Sequence, residues 1–519
     1  MTLPISDGPG TATGRHAIVF APPRTMAIVA FLVILAAALF SILPNYHLFS
    51  TDDLATSLNP EAMHSMAMLQ ASNGRFVFFV VANLLSAAYV DYPTFQALGG
   101  AVFIASLLFL FFEIARFLNI RSDEARLFAG VIFFTSCFSI DLYQFRETYL
   151  CFGLSFLFSA LAIRCAALPV GLAARVALAT VFALLAFGTY QTAPQILVMV
   201  AGLGLIARLL DPRASRSMRD IVVLIAATLI ATMAYFAISK ILVATVEGFT
   251  RSTARLFGPQ FVLANLGAYL RTATELTLPV GNAFDPITNH ILSAALAMLW
   301  IGAAIGFSVA TRGWRRIAIW VVLAGLLICA PNPANLLLQD FWPTPRSAQG
   351  IVVFFAGMAA LLVQLAVDRG FRYLDPRRAL GVLLGLLILM QVVNNSQLLS
   401  RRTMQQDLDF ALARQIVTDI ERLAPPTSDS IPANIVAYWS SNALFQRMPY
   451  SVGLGLFGSD WSARALLTFV SRGRVLARTG NPADCPPEPL QTVPTTVMGR
   501  DGVPLVCFPS AAKFWSRAY

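Results

Sequence analysis

The chain has 519 residues, of which 57% are hydrophobic and only 12% are charged, and its formal net charge is +10. In a soluble domain about a quarter of the residues are charged. The low charged fraction and a mean hydropathy of +0.69 therefore exclude an ordinary soluble protein. The positive charge does not indicate nucleic acid as a partner, because the arginines stand between apolar segments rather than along one face. We expect a polytopic, all-α membrane protein whose surroundings are the lipid bilayer.

The transmembrane helices are predicted from apolar runs, since a span needs about 20 apolar residues, and fewer where the helix is buried among others. About eleven can be read, at residues 26–43, 95–114, 125–140, 149–163, 174–187, 194–210, 221–243, 291–310, 317–330, 350–367 and 380–393. The first 24 residues are interpreted as a cytosolic tail that precedes a retained first span.

The orientation follows from the arginines, which concentrate in the connections on the N-terminal side of the membrane. Basic loops remain in the cytoplasm, so the N-terminus is expected there. Segment 76–89 is apolar too, but a full span at this point would invert every later loop and remove the charge bias. We expect it to lie on or dip into the outer leaflet, with full spanning left as the alternative.

This topology predicts which polar connections share the outer face. They are the loops 44–93 and 244–290, together with the shorter connections 141–147, 189–193 and 331–346. The long loop 247–290 mixes aromatic and aliphatic residues with arginines, which is typical of amphipathic helices on a membrane surface.

The composition changes after Asn394, and we divide the chain into a transmembrane catalytic domain, 1–397, and a C-terminal domain, 398–519. Residues 397–423 have helical spacing of apolar residues, and β-like runs follow near 434–440, 495–498 and 504–508. We therefore predict a small extracytoplasmic α/β appendage. Cys485 and Cys507 lie in this part and are candidates for a disulfide if it faces an oxidising compartment.

The acid pair Asp52 and Asp53 follows the first predicted span and is the strongest chemical signal in the chain. A carboxylate at the lipid–water boundary can deprotonate a hydroxyl during group transfer, or hold a divalent cation. A second interpretation is structural, because an Asp before the sequence LATSL would cap a short helix.

Several polar residues share the predicted outer face with this pair. Asn73, Gly74 and Arg75 form a flexible turn followed by a guanidinium, which suits a phosphate oxygen. Arg346 is a second phosphate candidate, or a side chain that reaches to the headgroups. With the re-entry at 141–147 and the outer turn that begins at Tyr190, the substrate-binding candidates are Asn73, Arg75, Arg146, Glu147, Tyr190, Gln191 and Arg346.

The re-entry and the outer turn each have a purely structural alternative. Arg146 and Glu147 either face a cavity or pair with each other, and Tyr190 either lines a pocket or belongs to the interfacial aromatic belt. No phosphate-binding loop, dinucleotide fingerprint, HExxH or GxSxG is present, and the four histidines have no zinc-ligand spacing. A catalytic centre would therefore rest on carboxylates and arginines, with no cofactor indicated and a divalent metal left open.

The order of these elements resembles the phage-type O-antigen glucosyltransferases, the Gtr-type serotype-converting family with a GT-C-like membrane fold. The matching pieces are TDDL after the first span, NGR before the apolar segment, LYQFRETY, TYQ and PRSAQG, then RRTMQQDLDFALARQIVTDI and LFGSDWSARAL. This resemblance implies a bacterial inner-membrane enzyme that transfers a hexose from a polyprenyl-phosphate donor to a surface glycan such as O-antigen.

The resemblance also implies roles for individual residues. The general base of the GT-C class, an acid of the first outer loop, falls on Asp52 or Asp53. Arg75, Arg146 and Arg346 become candidates for the lipid phosphate, and Tyr190 and Gln191 for the pocket wall.

Two other functional classes stay open from the residues alone. A transporter or flippase of lipid-linked sugars would favour charges in mid-span and repeated halves, whereas the polar residues here collect at one face and no internal repeat is evident. A membrane acyltransferase normally requires a catalytic histidine in or near a span, and His47, His64 and His290 are all predicted outside.

Overall fold

The computed structural model describes residues 23–48, 74–88, 91–143, 145–212, 218–245, 258–277, 286–337, 349–369, 376–424, 430–436, 456–457, 460–485 and 494–508. Within these residues the chain is mostly helical, as predicted, and it carries one small sheet towards the C-terminal end.

The helices are named in chain order. They are α1 (Pro23–Ile42), α2 (Phe76–Ala87), α3 (Tyr92–Phe117), α4 (Asp123–Thr135), α5 (Tyr149–Ala166), α6 (Leu172–Thr189), α7 (Ala193–Leu210), α8 (Met218–Thr245), α9 (Val262–Thr277), α10 (Pro286–Ala310), α11 (Trp314–Cys329), α12 (Gln349–Arg369), α13 (Pro376–Leu423) and α14 (Asp460–Val470). One-turn helices connect some of them, at Leu43–His47, Cys137–Ser139, Ile140–Tyr143, Arg146–Thr148, Pro259–Phe261, Pro333–Leu337 and Pro482–Asp484.

The predicted spans all fall on helices. In the described part of the chain, eight helices are long and apolar enough to cross a membrane, namely α1, α3, α5, α6, α7, α8, α12 and α13. The three other predicted spans coincide with α4, α10 and α11, which are shorter or have shorter apolar stretches. Large apolar side chains such as Leu32, Leu229 and Met233 point outwards, as expected where lipid replaces water.

Segment 76–89 forms the 12-residue helix α2. At 1.5 Å per residue this helix is about 18 Å long, shorter than the roughly 30 Å of a bilayer core. It packs against α6, where a Cβ on Gly188 would lie 2.6 Å from the Phe76 ring. A helix of this length agrees better with the predicted surface position than with a full span.

The end of the transmembrane part differs from our prediction. We expected a span at 380–393 and a separate helix at 397–423, whereas α13 is one continuous helix of 48 residues. The sequence between Leu386 and Leu423 contains no glycine or proline to interrupt it. The polar residues at the predicted break are used in packing, since Asn395 Nδ2 donates to the Thr135 carbonyl of α4 at 2.8 Å.

One end of the bundle is held by charged side chains. Glu113 of α3 pairs with Arg116 at 2.6 Å and with Arg164 of α5 at 3.4 Å. Arg175 of α6 pairs with Asp220 of α8. These residues lie at the end that the positive-inside pattern assigns to the cytoplasm.

The opposite end is held by neutral polar contacts. Gln195 at the start of α7 donates from Nε2 to the Ala330 carbonyl and accepts at Oε1 from the Gly350 backbone N–H at 3.0 Å. Gln349 Nε2 donates to the Phe138 carbonyl at 3.3 Å. The predicted outer turn that begins at Tyr190 therefore lies at this end.

The C-terminal region contains a four-stranded sheet in the order β2-β1-β4-β3. Its strands are β1 (Ile431–Val436), β2 (Val475–Thr479), β3 (Thr495–Met498) and β4 (Pro504–Cys507). β1 runs parallel to both neighbours, and β3 is antiparallel to β4. The far half of α13 and helix α14 pack against the sheet through Ile416, Ile420 and Leu466.

Cys485 and Cys507, the pair predicted from the sequence, form a disulfide that joins the Pro482–Asp484 turn to β4. The bridge closes a segment 22 residues long. It ties an irregular part of the chain to an inner strand of the sheet.

Candidate functional site

The candidate site is built around Arg75, which stands immediately before α2. Gly74 precedes it in a left-handed conformation, with φ +79°. A Cβ at this position would lie 2.5 Å from the Tyr235 Oη of α8, so the turn requires glycine on both backbone and packing grounds. The sequence NGR thus places a guanidinium against α8 and α6.

The Arg75 guanidinium lies over the ring of Tyr190, with Cζ 4.6 Å from the ring centroid. Its Nε donates to Gln191 Oε1 at 3.4 Å. A cation over an aromatic face is stabilised by the ring quadrupole, by about 2 kcal/mol where the pair is shielded from water. The structure therefore brings together three predicted site residues from two distant parts of the chain.

Tyr190 is held in place by its own backbone and by neighbouring helices. It ends α6 in an extended conformation, and its N–H donates to the Ala186 carbonyl at 2.9 Å. Its ring is 5% exposed and meets Phe152 of α5 edge-on, with centroids 4.6 Å apart. One residue earlier, the Thr189 carbonyl accepts from Cys151 Sγ at 2.9 Å. The Tyr190 ring beneath Arg75 is therefore positioned by contacts with α5 and by the end of α6.

Tyr235 completes the surroundings from α8. Its ring stacks on Phe76, the first residue of α2, with centroids 5.9 Å apart. The sequence reasoning missed Tyr235 and Phe152, because both sit in apolar runs that were interpreted as spans. A tyrosine in an otherwise apolar helix was the available signal, since its hydroxyl requires a polar partner.

Arg146 is placed at the same end of the bundle. It opens the turn Arg146–Thr148, directly before α5, and is only 8% exposed. Phe152, one turn further along, is the residue that contacts Tyr190. Glu147 belongs to the same backbone turn, and its side chain lies outside the described residues.

The turn itself is fixed by aromatic packing. Tyr149 stacks on Phe103 of α3 with centroids 4.8 Å apart, and Thr148 Oγ1 donates to the Phe145 carbonyl at 2.9 Å. A buried guanidinium at a membrane re-entry is costly unless polar groups or an anion compensate it. The role of Arg146 towards an anionic substrate group stays a prediction.

Four predicted site residues, Asp52, Asp53, Asn73 and Arg346, lie outside the described residues. Their roles stay predictions. Among the residues that the structure does describe, no group of three or more His, Cys, Asp or Glu could hold a metal ion.

A bundle with several apolar helices of bilayer length defines the class of polytopic membrane proteins. Residues 40–364 match the family model described as glucosyl transferase GtrII. This match covers more than half of the 519 residues, so the chain belongs to the GtrII glucosyltransferase family and is a membrane glycosyltransferase.

Among solved structures, the chain is similar to the archaeal oligosaccharyltransferase AglB from Archaeoglobus fulgidus, determined in complex with an inhibitory peptide and a dolichol-phosphate. The identity is 10% and the TM-score 0.38, and the alignment covers 88% of this chain and 64% of AglB. A comparison with curated proteins found no match.

Proposed function

We propose that the protein transfers a hexose, such as glucose, from a polyprenyl-phosphate donor to a cell-surface glycan such as O-antigen. The reaction takes place at the outer face of the bacterial inner membrane, with Asp52 or Asp53 as general base. Arg75, Arg146 and Arg346 bind the lipid phosphate, and Tyr190 and Gln191 form part of the pocket wall.

The observation that carries this proposal is the Arg75–Tyr190–Gln191 cluster, at the end of the bundle opposite the Glu113 and Asp220 ion pairs. The Arg75 Cζ lies 4.6 Å from the centroid of the Tyr190 ring, and the N–H donors of a guanidinium lie along its edge. A planar guanidinium held in this way is suited to two parallel hydrogen bonds with a phosphate. A polyprenyl tail lies in the bilayer, so its phosphate has to be bound at this level.

The general base comes from the chain that follows α1. The Asp52 Cα is four residues from that of buried Leu48, which limits their separation to about 14 Å. An acceptor hydroxyl is a poor nucleophile until a carboxylate removes its proton, and such assistance contributes about 10²- to 10⁴-fold in rate. The phosphate leaves with the charge that the arginines stabilise.

The proposal is tested with purified protein in liposomes that contain radiolabelled polyprenyl-phosphate glucose and the surface polysaccharide of cells lacking the gene. Asp52→Asn or Asp53→Asn is expected to lower the transfer rate by at least about 100-fold while the protein still inserts. The measurement is label incorporated into the polysaccharide.

The matched control is Asp91→Asn. Asp91 lies at the same end of the bundle as Arg75, and it caps α3 by accepting from the Thr94 backbone N–H at 2.8 Å. Hydrogen bonds from the Thr94 side chain and backbone lower the pKa of Asp91. Asparagine caps a helix as well as aspartate does, so Asp91→Asn should keep the wild-type rate. Full activity in both single variants and in the double variant would remove the acid pair from the mechanism.

The same liposomes separate transfer from transport. A flippase would move the labelled lipid between leaflets without labelling the polysaccharide. Lipid movement with no transfer by the wild-type protein would overturn the proposed function.

A further inference from the structure

A group of exposed side chains stands where α10 is followed by α11, far from the Arg75 cluster. Gly306 of α10 lies against α12, since an added Cβ would be 3.1 Å from Leu362 Cδ1. Two residues further along α12, Gln364 Oε1 accepts from the Arg121 backbone N–H at 2.9 Å. Arg121 follows α3, so the start of α11 lies at the end of the bundle that carries the Glu113 ion pairs.

The first turn of α11 carries two neighbouring positive charges. Arg315 and Arg316 are both exposed, and neither forms an ion pair with any residue that the structure describes. By contrast, Arg164 and Arg175 at the same end of the bundle each pair with a carboxylate. The charges of Arg315 and Arg316 are therefore not neutralised within this part of the protein.

The stability of α11 does not account for these arginines. A helix N-terminus carries a partial positive charge and favours acidic residues, but the first turn of α11 contains none. Arg316 Nη2 donates to the Thr311 carbonyl at 3.1 Å, which holds its guanidinium beside the end of α10. Positive charge is thus concentrated at one connection, where an external anion would compensate it.

An exposed apolar stripe begins at the same turn. Trp314 is 68% exposed, and Ile317 and Val321, which follow it at i+3 and i+7, are 67% and 66% exposed. Residues with this spacing share one face of a helix. Tryptophan is typical of the membrane–water interface, and Val321 lies about 10 Å further along the helix. The stripe therefore leads from the level of the arginines towards the interior of the bilayer.

The combination of charge and apolar surface selects the ligand. Guanidinium groups suit a phosphate, whereas the aliphatic stripe suits an acyl chain and would not be used by a soluble phosphate. A zwitterionic lipid brings its own cation next to its phosphate. Two arginines without a carboxylate partner therefore favour a phospholipid with a net negative charge.

We propose that Trp314, Arg315 and Arg316 form a binding site for an anionic phospholipid. The lipid phosphate lies at the two arginines, and an acyl chain lies along Ile317 and Val321. This inference is independent of the proposed function, because the site lies at the end of the bundle opposite the Arg75 cluster.

Photo-cross-linking of the full-length protein in phosphatidylcholine nanodiscs tests the site. A small amount of phosphatidylglycerol with a photoreactive group in its acyl chain is added, and peptide mass spectrometry locates the cross-links. The yield on residues 314–321 should be at least about fivefold higher than with phosphatidylcholine that carries the same group. Inorganic phosphate should not lower this yield.

Equal yields from the two photoreactive lipids would overturn the proposal, and so would cross-links spread evenly over the exposed helix faces. Loss of the cross-link in the presence of inorganic phosphate would show an anion site without lipid specificity, which also contradicts the proposal.

Substitution of the two arginines tests their part in binding. The double variant Arg315→Gln, Arg316→Gln should raise the phosphatidylglycerol concentration for half-maximal cross-linking by about 30-fold, from about fivefold for each basic residue. Both side chains are exposed, so the fold should be unaffected.

The matched control removes two exposed arginines from the C-terminal sheet region, Arg478→Gln and Arg500→Gln. It loses the same charge and should keep the wild-type concentration dependence. A wild-type dependence in the Arg315 and Arg316 variant, or an equal shift in the control, would contradict a specific lipid site.

Discussion

At the residue scale, Arg75 combines charge with a fixed plane. Tyr190 supports the guanidinium at 4.6 Å, and Gln191 accepts from its Nε. Lysine would supply the same charge on a flexible stem, without the planar fork or the stacking surface. The identity of this side chain, and not its charge alone, should therefore matter for binding a lipid phosphate.

Substitution of Arg75 tests this directly. Arg75→Ala should lower kcat/KM for the polyprenyl-phosphate donor by about 100-fold, since hydrogen bonds to a charged group contribute about 1.5–3 kcal/mol. Arg75→Lys should lose about tenfold, because it keeps the charge and loses the fork. Initial rates against donor concentration in liposomes give both values.

Arg312→Gln is the control, because Arg312 is exposed between α10 and α11 at the charged end of the bundle. Its kinetics should match those of the wild-type protein. Wild-type kinetics for Arg75→Ala would show that another cation binds the phosphate.

The same residues show what sequence reasoning reaches at this scale. Arg75, Tyr190 and Gln191 were predicted because polar residues at the ends of apolar runs are conspicuous. Their contact spans 116 positions of sequence and depends on α2 packing against α6, which no local pattern specifies. The hydrogen bond from Asn395 to the Thr135 carbonyl was not predicted, because an asparagine gives no sign in the sequence of which group it will bond.

At the element scale, helices were easier to predict than their ends. Apolar runs identify helices because a bilayer demands internal hydrogen bonding of the backbone. The break predicted after Asn394 was wrong, since a change from apolar to charged residues changes the surroundings of a helix without ending it. Strand β2 was missed, because VLART is short and half exposed and gains its order from pairing with β1.

The C-terminal sheet depends on the disulfide in a way that can be measured. Replacing Cys485 and Cys507 together by serine should destabilise this region by about 3 kcal/mol, from the entropy of an open 22-residue segment. The change is measured by heating the detergent-solubilised protein and recording the temperature at which the C-terminal region becomes sensitive to a protease.

A reducing agent provides the internal control for the disulfide. It should lower the unfolding temperature of the wild-type protein to that of the double variant and leave the double variant unchanged. If the reductant lowered the unfolding temperature of both proteins equally, its effect would not come from the Cys485–Cys507 disulfide, and the prediction would be contradicted. An unbridged pair in protein from cells would contradict the proposed outer placement of this region.

At the scale of the whole molecule, the two ends of the bundle differ in chemistry. Ion pairs such as Arg175–Asp220 join the helices at one end. Hydrogen bonds from side-chain amides to backbone carbonyls, such as Gln195 to Ala330, join them at the other end. Basic residues stay on the cytoplasmic side of bacterial membranes, so the amide-rich end is the outer one in our proposal.

Thiol labelling of spheroplasts tests this orientation. Gly171→Cys lies in the exposed connection before α6, where a Cβ meets nothing within 4 Å among the neighbouring atoms. Gln415→Cys lies in the far half of α13. A membrane-impermeant maleimide should label Gln415→Cys in intact spheroplasts and Gly171→Cys only after lysis.

The wild-type protein, carrying its native cysteines, sets the background for this experiment. The reverse labelling pattern would invert the topology and place the Arg75 cluster in the cytoplasm.

The continuity of α13 has a mechanical consequence. A 48-residue helix is about 72 Å long, which is more than twice the thickness of a bilayer core. The same helix therefore connects the transmembrane part to the sheet without an interruption. Asp409 Oδ2 accepts from the Leu456 N–H at 2.6 Å, and this hydrogen bond joins the sheet region to α13. The length of α13 therefore determines both the distance of the C-terminal region from the membrane and its rotation about the helix axis. Each residue added to α13 between Asn395 and Asp409 would move the C-terminal region by about 1.5 Å along the helix axis and rotate it by about 100°.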